Sequence, residues 1–212
     1  MEHSYTSRTL SILEYDTILR KDVYGYLCGV DEAGRGPLAG PVVAAAVIFS
    51  DDVFIDGVFD SKKLTFKKRE KLYGEIISSA LCYGVGVVNS REIDEINILQ
   101  ATARAMDIAV SKLKVKPNII LADGNFYRHE KINVRNLIRG DSLSFSIAAA
   151  SIIAKVTRDR LMKSYQNKFP GYSFSAHKGY GTKKHVEEIR QFGFSDIHRR
   201  SFRIKSLGYE PG

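Results

Sequence analysis

Four acidic residues lie where the sequence predicts that a strand ends or that a long helix is about to begin: Asp31, Glu32, Asp123 and Asp141. Each alone has an ordinary structural explanation, because Asp before Gly is a common turn pair and Asp in front of a helix can cap it. Carboxylates that converge from separate strand ends, however, repel one another unless a cation lies among them. Oxygen ligands of this kind suit Mg²⁺ or Mn²⁺ and not zinc. The sequence therefore predicts a divalent-cation site formed by these four residues.

Asp159 is a further acidic residue in the same part of the chain, but its spacing excludes it from that site. It follows Asp141 by 18 residues, which in one continuous helix is about 27 Å along the axis. Two side chains at that distance cannot bind one ion. Lys155 and Lys163 each lie four residues away, so we predict that Asp159 forms salt bridges on the helix surface.

A glycine-rich segment, GRGPLAGP at residues 34–41, follows the first two carboxylates, and we call it the glycine loop. Strand alternation points adjacent side chains to opposite faces of a sheet, so these two carboxylates can act together only if the backbone turns there. Gly34 and Gly36 make such a turn cheap, and they let the backbone around Arg35 approach a nucleotide closely enough to contact a ribose 2′-OH. The alternative is a tight hairpin loop that exposes an arginine.

A second segment, HKGYGT at residues 177–182, places Tyr180 between two glycines, and we call it the tyrosine loop. An aromatic ring at such an open position can stack on a sugar or a base, which contributes roughly 1–3 kcal/mol. The segment is therefore a second candidate for contact with a nucleotide.

Three histidines, His177, His185 and His198, also lie in the last part of the chain. They are separated by 8 and 13 residues, which fits no common zinc pattern, and no cysteine accompanies them. We predict that they are neighbours of a tyrosine or a phosphate, or caps at helix ends, and not metal ligands.

The net charge of +8 comes from the last quarter of the chain. From Lys155 onward there are 13 Lys and Arg against 5 Asp and Glu, whereas residues 1–154 carry 19 of each sign. A basic segment on a neutral body predicts a docking surface for a polyanion, by default nucleic acid. A solvated charged surface is the alternative, and charge alone does not separate the two.

The elements that must position these residues are those of an α/β domain. The predicted strands are residues 24–31, 42–49, 81–88, 118–122 and 133–138, of which the first two form a hairpin around the glycine loop. The predicted helices are residues 7–21, residues 65–80, a long helix that begins at Ser90, residues 144–168, and short helices after Pro170. Early strands followed by alternating helices and strands imply a mixed sheet with helices on both faces, on which functional groups collect at strand ends.

Composition limits the class of protein. A chain of 212 residues with 44% hydrophobic content suits one compact unit, which we divide into a core at residues 1–168 and a basic helical extension at residues 169–212. No apolar run of about 18 residues could span a bilayer, and the N-terminal segment lacks the features of a signal peptide, so we expect a cytoplasmic protein. Cys28 and Cys82 lie in apolar runs, which predicts buried, reduced thiols.

Six segments together resemble the ribonuclease HII family, the type 2 ribonucleases H that cut RNA embedded in or paired with DNA. They are GVDEAGRGPLAGPVV (residues 29–43), DSKKLT (60–65), LADGN (121–125), GDSLSFSIAAASIIAKVTRDRLM (140–162), HKGYGTKKH (177–185) and HRRSF (198–202). They follow the family's order across about 80% of the chain, and the first and fourth are long and specific. Ala122 stands where the family pattern has a larger aliphatic residue, which concerns only local packing.

The resemblance implies a ribonuclease H-like fold in which the four carboxylates bind two divalent ions, Mg²⁺ or Mn²⁺, and a hydrolysis that leaves a 5′-phosphate and a 3′-OH. It also implies that the glycine loop recognises the ribonucleotide at an RNA to DNA junction, and that Tyr180 packs against the deoxyribose that follows. The implied substrates are RNA/DNA hybrids and DNA duplexes with an embedded ribonucleotide. The cations expected to contact phosphates are Lys62, Lys63, Lys178, Lys183, Lys184, Arg199 and Arg200, although each lysine alone has an ordinary solvated role.

Other functions remain open at this point. A ribonuclease HIII would share the fold and the carboxylates, but we would expect an additional N-terminal substrate-binding domain. Resolvases and exonucleases with a ribonuclease H-like fold would lack the glycine and tyrosine loops. A catalytically silent module that binds hybrids would keep the basic surface and lose carboxylates. A monomer is the default expectation, and the C-terminal tail offers no clear motif for binding a sliding clamp.

Overall fold

A mixed sheet of five strands forms the centre of the protein. The computed structural model describes residues 2–51, 53–59, 61 and 64–211. The strands are β1 (Leu27–Ala33), β2 (Val42–Ile48), β3 (Cys82–Val88), β4 (Ile119–Asp123) and β5 (Asn133–Leu137). Their order across the sheet is β3-β2-β1-β4-β5. β2 is antiparallel to both β1 and β3, whereas β4 runs parallel to both β1 and β5.

Helices cover both faces of this sheet. They are α1 (Glu2–Asp22), α2 (Phe66–Ser79), α3 (Ser90–Ser111), α4 (Phe145–Lys168), α5 (Phe174–His177) and α6 (Lys183–Phe192), with short 3₁₀ helices at Gly140–Ser142 and Lys205–Leu207. α4 packs on one face together with α1 and α2, and α3 packs on the other. The predicted α/β fold, a mixed sheet flanked by helices, is confirmed. None of the described helices is both long and apolar enough to cross a membrane.

α4 approaches β1 unusually closely because glycine and alanine leave room for it. A Cβ atom added to Gly29 of β1 would lie 2.1 Å from the backbone of Ser146, near the start of α4. The helix begins at Phe145, one residue after its predicted start, and the side chain of Ser144 caps it by accepting a hydrogen bond from the N–H of Ile147 at 3.3 Å. The first turn of α4 is therefore fixed against the middle of β1.

β1 differs from its prediction at both ends. It begins at Leu27 and continues past the two carboxylates to Ala33, because the backbone there pairs with residues 43–45 of β2. The predicted end at Asp31 is wrong, and the chain turns only at Gly34, whose φ is 100°. Charged side chains suggested a strand end, but a neighbouring strand with its own hydrogen-bonding groups extends the ladder through them.

The segment after α4 packs back onto the rest of the protein. Tyr172, Phe174 and Ile189 form an apolar cluster with Met162 of α4 and Ala39 of the glycine loop. This cluster brings the basic end of the chain to the glycine loop. The two cysteines are buried and free, as predicted.

Candidate active site and nucleic-acid interface

Asp31 and Asp123 lie next to each other at the carboxyl ends of two parallel strands. In the register of β1 and β4, Val30 pairs with Ala122, so each carboxylate is one residue beyond that pair. Neighbouring strands are about 4.8 Å apart. Asp31 is only 4% exposed, so the two acidic side chains share a confined space at this edge of the sheet.

Glu32 points to the other face of the sheet. Asp31 pairs with Ala45, which packs in the core on the α4 side, whereas Glu32 pairs with Ala44, which packs on the α3 side. Strand alternation is thus kept, and the predicted backbone turn between the two acidic residues is wrong. The Glu32 carboxylate lies 3.5 Å from the guanidinium of Arg35, so it connects the acidic edge to the glycine loop.

Asp141 is brought to the same edge by the turn that precedes α4. It lies in the 3₁₀ helix Gly140–Ser142 and is 7% exposed. The N–H of Gly140 donates a hydrogen bond of 2.6 Å to Oδ1 of Asp123. Asp141 therefore follows directly a residue that binds the Asp123 carboxylate. Asp141 does not cap α4, because Ser144 has that role.

The electrostatics of the site are those of crowded negative charges. Burial, followed by the charges of Glu32 and Asp123, raises the pKa of Asp31 well above its ordinary value. Hydrogen bonds from the Ser151 side chain and from the N–H of Glu32, at 2.7 Å, oppose the shift in pKa without cancelling it. A cation at this edge would relieve the repulsion.

The donor set fits Mg²⁺ or Mn²⁺, since it consists of carboxylate oxygens. Within the described part of the chain, no group of three or more His, Cys, Asp or Glu side chains is arranged so that it could hold a metal ion. Mg²⁺ is typically bound by one or two carboxylates, with water and substrate phosphates completing its coordination. The acidic edge matches that type of open site better than a closed cage.

The glycine loop leaves the sheet at Gly34. The carbonyl oxygens of Gly34 and Arg35 accept hydrogen bonds of 2.6 and 2.8 Å from the guanidinium of Arg199. Gly36 borders open space, because nothing lies within 4 Å of the position that its Cβ would take. The guanidinium of Arg35 lies 4.8 Å from the centre of the Phe126 ring, and its side chain is 42% exposed. The loop therefore presents backbone and one cation beside the acidic edge.

The tyrosine loop lies directly against the glycine loop. The N–H of Leu38 donates to the carbonyl oxygen of Gly179 at 2.8 Å. A Cβ atom on Gly179 would lie 2.3 Å from the carbonyl oxygen of Ala39, and its φ of 81° also favours glycine. Tyr180 is 44% exposed. The two loops thus form one continuous surface with the tyrosine ring open to solvent.

The cations predicted to contact phosphates occupy different surroundings. Lys183, Lys184 and Arg200 are exposed, Lys178 is half-buried, and Lys62 and Lys63 lie outside the described residues. Burial lowers the pKa of Lys178. Lys183 and Lys184 directly follow the tyrosine loop in the chain, and all three exposed cations are open to solvent.

The prediction that Arg199 contacts a phosphate is wrong. Arg199 is 1% exposed, and its guanidinium donates to three backbone carbonyl oxygens, of Gly34, Arg35 and Gly40. A side chain enclosed and bonded in this way does not reach a phosphate. Its charge suggested a surface role, but its surroundings give it an internal one.

Asp159 also differs from its predicted surroundings. Its ion pair with Lys155 is present at 2.7 Å, but Asp159 is 5% exposed and is not on the surface. The C-terminal segment covers this part of α4, which the spacing of residues along one helix could not reveal.

The three histidines form a buried cluster behind the tyrosine loop. The rings of His177 and His185 stack at 4.1 Å, and Nε2 of His185 lies 3.0 Å from Nε2 of His198. Nδ1 of His185 lies 2.9 Å from the carbonyl oxygen of Tyr180, and Nδ1 of His177 accepts from the N–H of Gly179 at 3.1 Å. The cluster therefore contacts the backbone of the tyrosine loop from inside.

Comparison with known proteins decides the family. A family model described as Ribonuclease HII matches residues 28–205. The chain belongs to the ribonuclease HII family. The Ribonuclease HII of Syntrophus aciditrophicus (strain SB) is 55% identical over 186 residues, which are 88% of this chain and 88% of that protein. The crystal structure of the ribonuclease H2 from Pyrococcus horikoshii OT3 is 31% identical with a TM-score of 0.69, and the match covers 84% of this chain and 94% of that chain.

Ribonuclease HIII is a more distant match. Bst-RNase HIII, solved in complex with Mn²⁺, is 19% identical with a TM-score of 0.61, and the match covers 84% of this chain but 67% of that chain. At this identity it shows the shared fold alone. The resemblance to ribonuclease HII is confirmed, and the chain is a ribonuclease H, an endonuclease that hydrolyses phosphodiester bonds.

Arg158 is a residue of this ribonuclease HII that sequence reasoning missed. It is 1% exposed, and its guanidinium donates to the carbonyl oxygens of Pro41, Lys178 and Ala39. A signal for it exists in the sequence: Ala154 and Met162, one helical turn before and after it, are on the buried side of α4. An arginine on that stripe is internal.

Proposed function

We propose that this ribonuclease HII cuts the RNA strand of RNA/DNA hybrids and incises DNA duplexes on the 5′ side of a single embedded ribonucleotide. The observation that carries the proposal is the position of the Asp31 and Asp123 pair beside the glycine loop. A carboxylate pair that can bind cations lies there next to backbone groups that can contact a ribose. Cleavage and ribose recognition can then act on one nucleotide.

The acidic edge provides the ligands. Asp31, Asp123 and Asp141 would bind two Mg²⁺ or Mn²⁺ ions, and Glu32 would have to reach these ions from the other face of β1, without the turn that the sequence predicted. Such a pair of ions supplies Lewis acidity, both for attack of water on the phosphorus and for departure of the 3′ oxygen. No side chain is required as a nucleophile, and the expected products carry a 5′-phosphate and a 3′-OH. Burial and the charges of Glu32 and Asp123 predispose Asp31 to accept a positive charge nearby, and the N–H of Gly140 donates to the Asp123 carboxylate.

Ribose recognition is assigned to the glycine loop. Gly36 leaves open space beside its backbone, and Gly34 and Arg35 have their carbonyl oxygens fixed by an internal arginine. A rigid, open backbone can hydrogen-bond a 2′-OH, the group that distinguishes RNA from DNA. The half-exposed Arg35 side chain would contact the same nucleotide or its phosphate.

Junction recognition is assigned to Tyr180, and backbone binding to the cations around it. The exposed Tyr180 ring would pack against the deoxyribose that follows the ribonucleotide and disfavour a 2′-OH there. The cations assigned to phosphates are Lys62, Lys63, Lys178, Lys183, Lys184 and Arg200. Contacts of this kind set position and affinity but read no sequence.

The test uses three end-labelled duplexes: one with a single ribonucleotide in DNA, one of DNA alone, and one RNA/DNA hybrid. Each is incubated with Mg²⁺ or Mn²⁺ and with either the wild type or Asp123→Asn, a variant that keeps the shape of the side chain. We expect metal-dependent cutting 5′ to the single ribonucleotide, none on DNA alone, and none by the variant. Cutting of the hybrid only would refute the roles of Arg35 and Tyr180, and binding without cutting would favour a silent hybrid-binding module.

A further inference from the structure

We propose that Arg158 and Arg199 are positioning residues that join the glycine loop and the tyrosine loop into one rigid unit and thereby set the preference for an RNA to DNA junction. The inference rests on the proposed function, because it concerns how the two loops are held at a fixed separation. We expect neither arginine to touch the substrate.

Arg199 holds the two ends of the glycine loop together. Its Nη2 and Nη1 atoms donate to the carbonyl oxygens of Gly34 and Arg35 at 2.6 and 2.8 Å, and its Nε atom donates to that of Gly40 at 3.0 Å. All three nitrogen atoms of one planar group are thus used on one loop. This geometry fixes the backbone on both sides of the residues assigned to ribose recognition.

Arg158 joins the glycine loop to the tyrosine loop. Its Nε and Nη2 atoms donate to the carbonyl oxygens of Pro41 and Ala39 at 3.0 and 3.1 Å, and its Nη1 atom donates to that of Lys178 at 3.0 Å. The same guanidinium carbon lies 5.8 Å from the centre of the Tyr180 ring. One side chain from α4 therefore contacts both loops and lies behind the exposed tyrosine.

The loops are also bonded to each other and to the segment that carries Arg199. Besides the Leu38 to Gly179 bond, the N–H of Arg199 donates to the carbonyl oxygen of Leu38 at 2.9 Å, and the N–H of Gly40 donates to that of Ile197 at 2.8 Å. These bonds run in both directions between the segments. The glycine loop cannot move without breaking several of them.

Ordinary packing does not account for two buried arginines. Both are 1% exposed, and among the described residues neither forms an ion pair with an acidic side chain. Burial and the nearby charge of Arg158 lower the pKa of Arg199 to about 9. Burial of a charge costs free energy, and apolar residues of similar size would fill the same space without that cost. The forked donors are what an apolar residue cannot supply.

Two glycines of the glycine loop allow side chains of α4 to approach the loop backbone closely. A Cβ atom on Gly34 would lie 2.1 Å from Nε of Arg158, and one on Gly40 would lie 2.3 Å from the sulfur of Met162. The glycines of the loop thus allow the arginine to reach the backbone. The relative position of Arg35 and Tyr180 follows from this packing.

The test compares Arg158→Lys and Arg199→Lys with the wild type and with Arg160→Lys. Lysine keeps the charge but lacks the fork. Arg160 is a matched control, because it lies on the same helix in an exposed ion pair with Glu70. For each protein, kcat and KM are measured on the single-ribonucleotide duplex and on the uniform hybrid, and the positions of the cuts are mapped.

We expect Arg158→Lys and Arg199→Lys each to lose selectivity for the single ribonucleotide by about tenfold to a hundredfold, because misplaced positioning groups typically cost that much. Selectivity is measured as the ratio of kcat/KM on the two substrates. The hybrid should lose much less, since it offers a ribose at every position, and Arg160→Lys should keep the wild-type ratio. If the wild type is active and both variants keep its ratio of kcat/KM values and its cut positions, the inference is overturned but the proposed function is not. A wild type that cuts neither substrate would overturn the proposed function as well.

A measurement on the unaltered protein covers the case in which a variant does not fold. Amide hydrogen exchange should show Leu38, Gly40 and Arg199 protected to the same degree as the amides of β1, although the first two lie in a loop. Fast exchange of Leu38 or Gly40, as in an ordinary surface loop, would show that the two loops are not one unit and would overturn the inference.

Discussion

The N–H of Gly140 lies 2.6 Å from Oδ1 of Asp123 and donates a hydrogen bond to it. This single contact links the end of β4 to the turn that carries Asp141, so two of the four acidic residues are positioned through one backbone amide. The bond leaves the other carboxylate oxygen of Asp123 available, which is what a metal ligand requires.

Replacement of Gly140 by Ala should reduce activity. An added Cβ would lie 2.6 Å from Ile147 Cδ1, 3.2 Å from Leu137 Cβ and 3.4 Å from Oδ1 of Asp123. Either the Ile147 side chain or the turn would have to shift, and a shift of the turn would move the Asp123 carboxylate with it. We expect kcat to fall by about tenfold or more with little change in KM, because phosphate contacts are untouched.

Gly74→Ala in α2 is the matched control for that substitution. Gly74 is an exposed helical glycine with nothing within 4 Å of its Cβ position, so alanine should raise the free energy of unfolding by roughly 0.5–1 kcal/mol and leave kcat unchanged. Full activity of Gly140→Ala would show that the amide contact is dispensable.

Divalent ions should stabilise the wild type against unfolding. A ligand that binds only the folded state at ten times its Kd adds about 1.4 kcal/mol. Asp123→Asn should lose most of this increment, although without metal it should be at least as stable as the wild type, because it removes a charge that acts on Asp31. Thermal unfolding with and without Mg²⁺ or Mn²⁺ measures both effects.

Asp159→Asn serves as control for the metal experiment. It removes a carboxylate from α4, the helix that follows the turn with Asp141, but one whose partner is Lys155. The metal ion should raise the free energy of unfolding of this variant by as much as that of the wild type, even if the variant is less stable without metal. Equal increments in Asp123→Asn and the wild type would remove Asp123 from the ligand set.

The aromatic ring of Tyr180, and not the hydroxyl group, should determine how much this residue contributes to kcat/KM on the single-ribonucleotide duplex. Tyr180→Phe keeps the aromatic face and should retain kcat/KM on the single-ribonucleotide duplex. Tyr180→Ala should lose the stacking contribution of roughly 1–3 kcal/mol. Tyr24→Ala is the control, since Tyr24 is 98% exposed. Similar losses in the Phe and Ala variants would contradict a stacking role.

The histidine cluster should make the protein acid-sensitive. Nδ1 of His185 lies against the Tyr180 carbonyl oxygen and must carry the proton, so its Nε2 accepts from Nε2 of His198, whose Nδ1 accepts from the N–H of Ser195 at 2.9 Å. The rings of His185 and His198 are therefore both neutral. Burial, together with the neighbouring histidines, lowers the pKa of His185 to about 4 and of His198 to about 3.

The sign of the effect follows from these values. Between the ordinary histidine pKa of about 6.5 and the lowered values, the unfolded chain binds more protons, so the free energy of unfolding falls as the pH falls, by up to about 1.4 kcal/mol per pH unit for each histidine. Unfolding by urea at pH 7, 6 and 5 should show a smaller loss in His198→Phe than in the wild type. His129→Gln, outside the cluster, should keep the wild-type slope, and equal slopes in all three proteins would contradict the prediction.

The sheet could be predicted because most of its strands are apolar runs, and the neighbouring positions of Asp31 and Asp123 because both follow such runs on one sheet. The internal role of Arg199 could not be predicted, because an arginine adds the same charge to the sequence whether its side chain is buried or exposed. The histidine cluster was equally hidden, because α5, α6 and the segment after them each contribute one ring. These features depend on how the C-terminal segment folds back over α4, which local spacing does not encode.

The register of β1 and β4 makes the protein far more sensitive to changes in length than to many changes of residue. One residue inserted or deleted within β4 would place a different side chain beside Asp31 and turn Asp123 toward the α3 side of the sheet. The irregular residues 124–132, which follow β4, can absorb such changes without altering that pairing. Natural or engineered length variation compatible with activity should therefore be found in that connection and not in the strand itself.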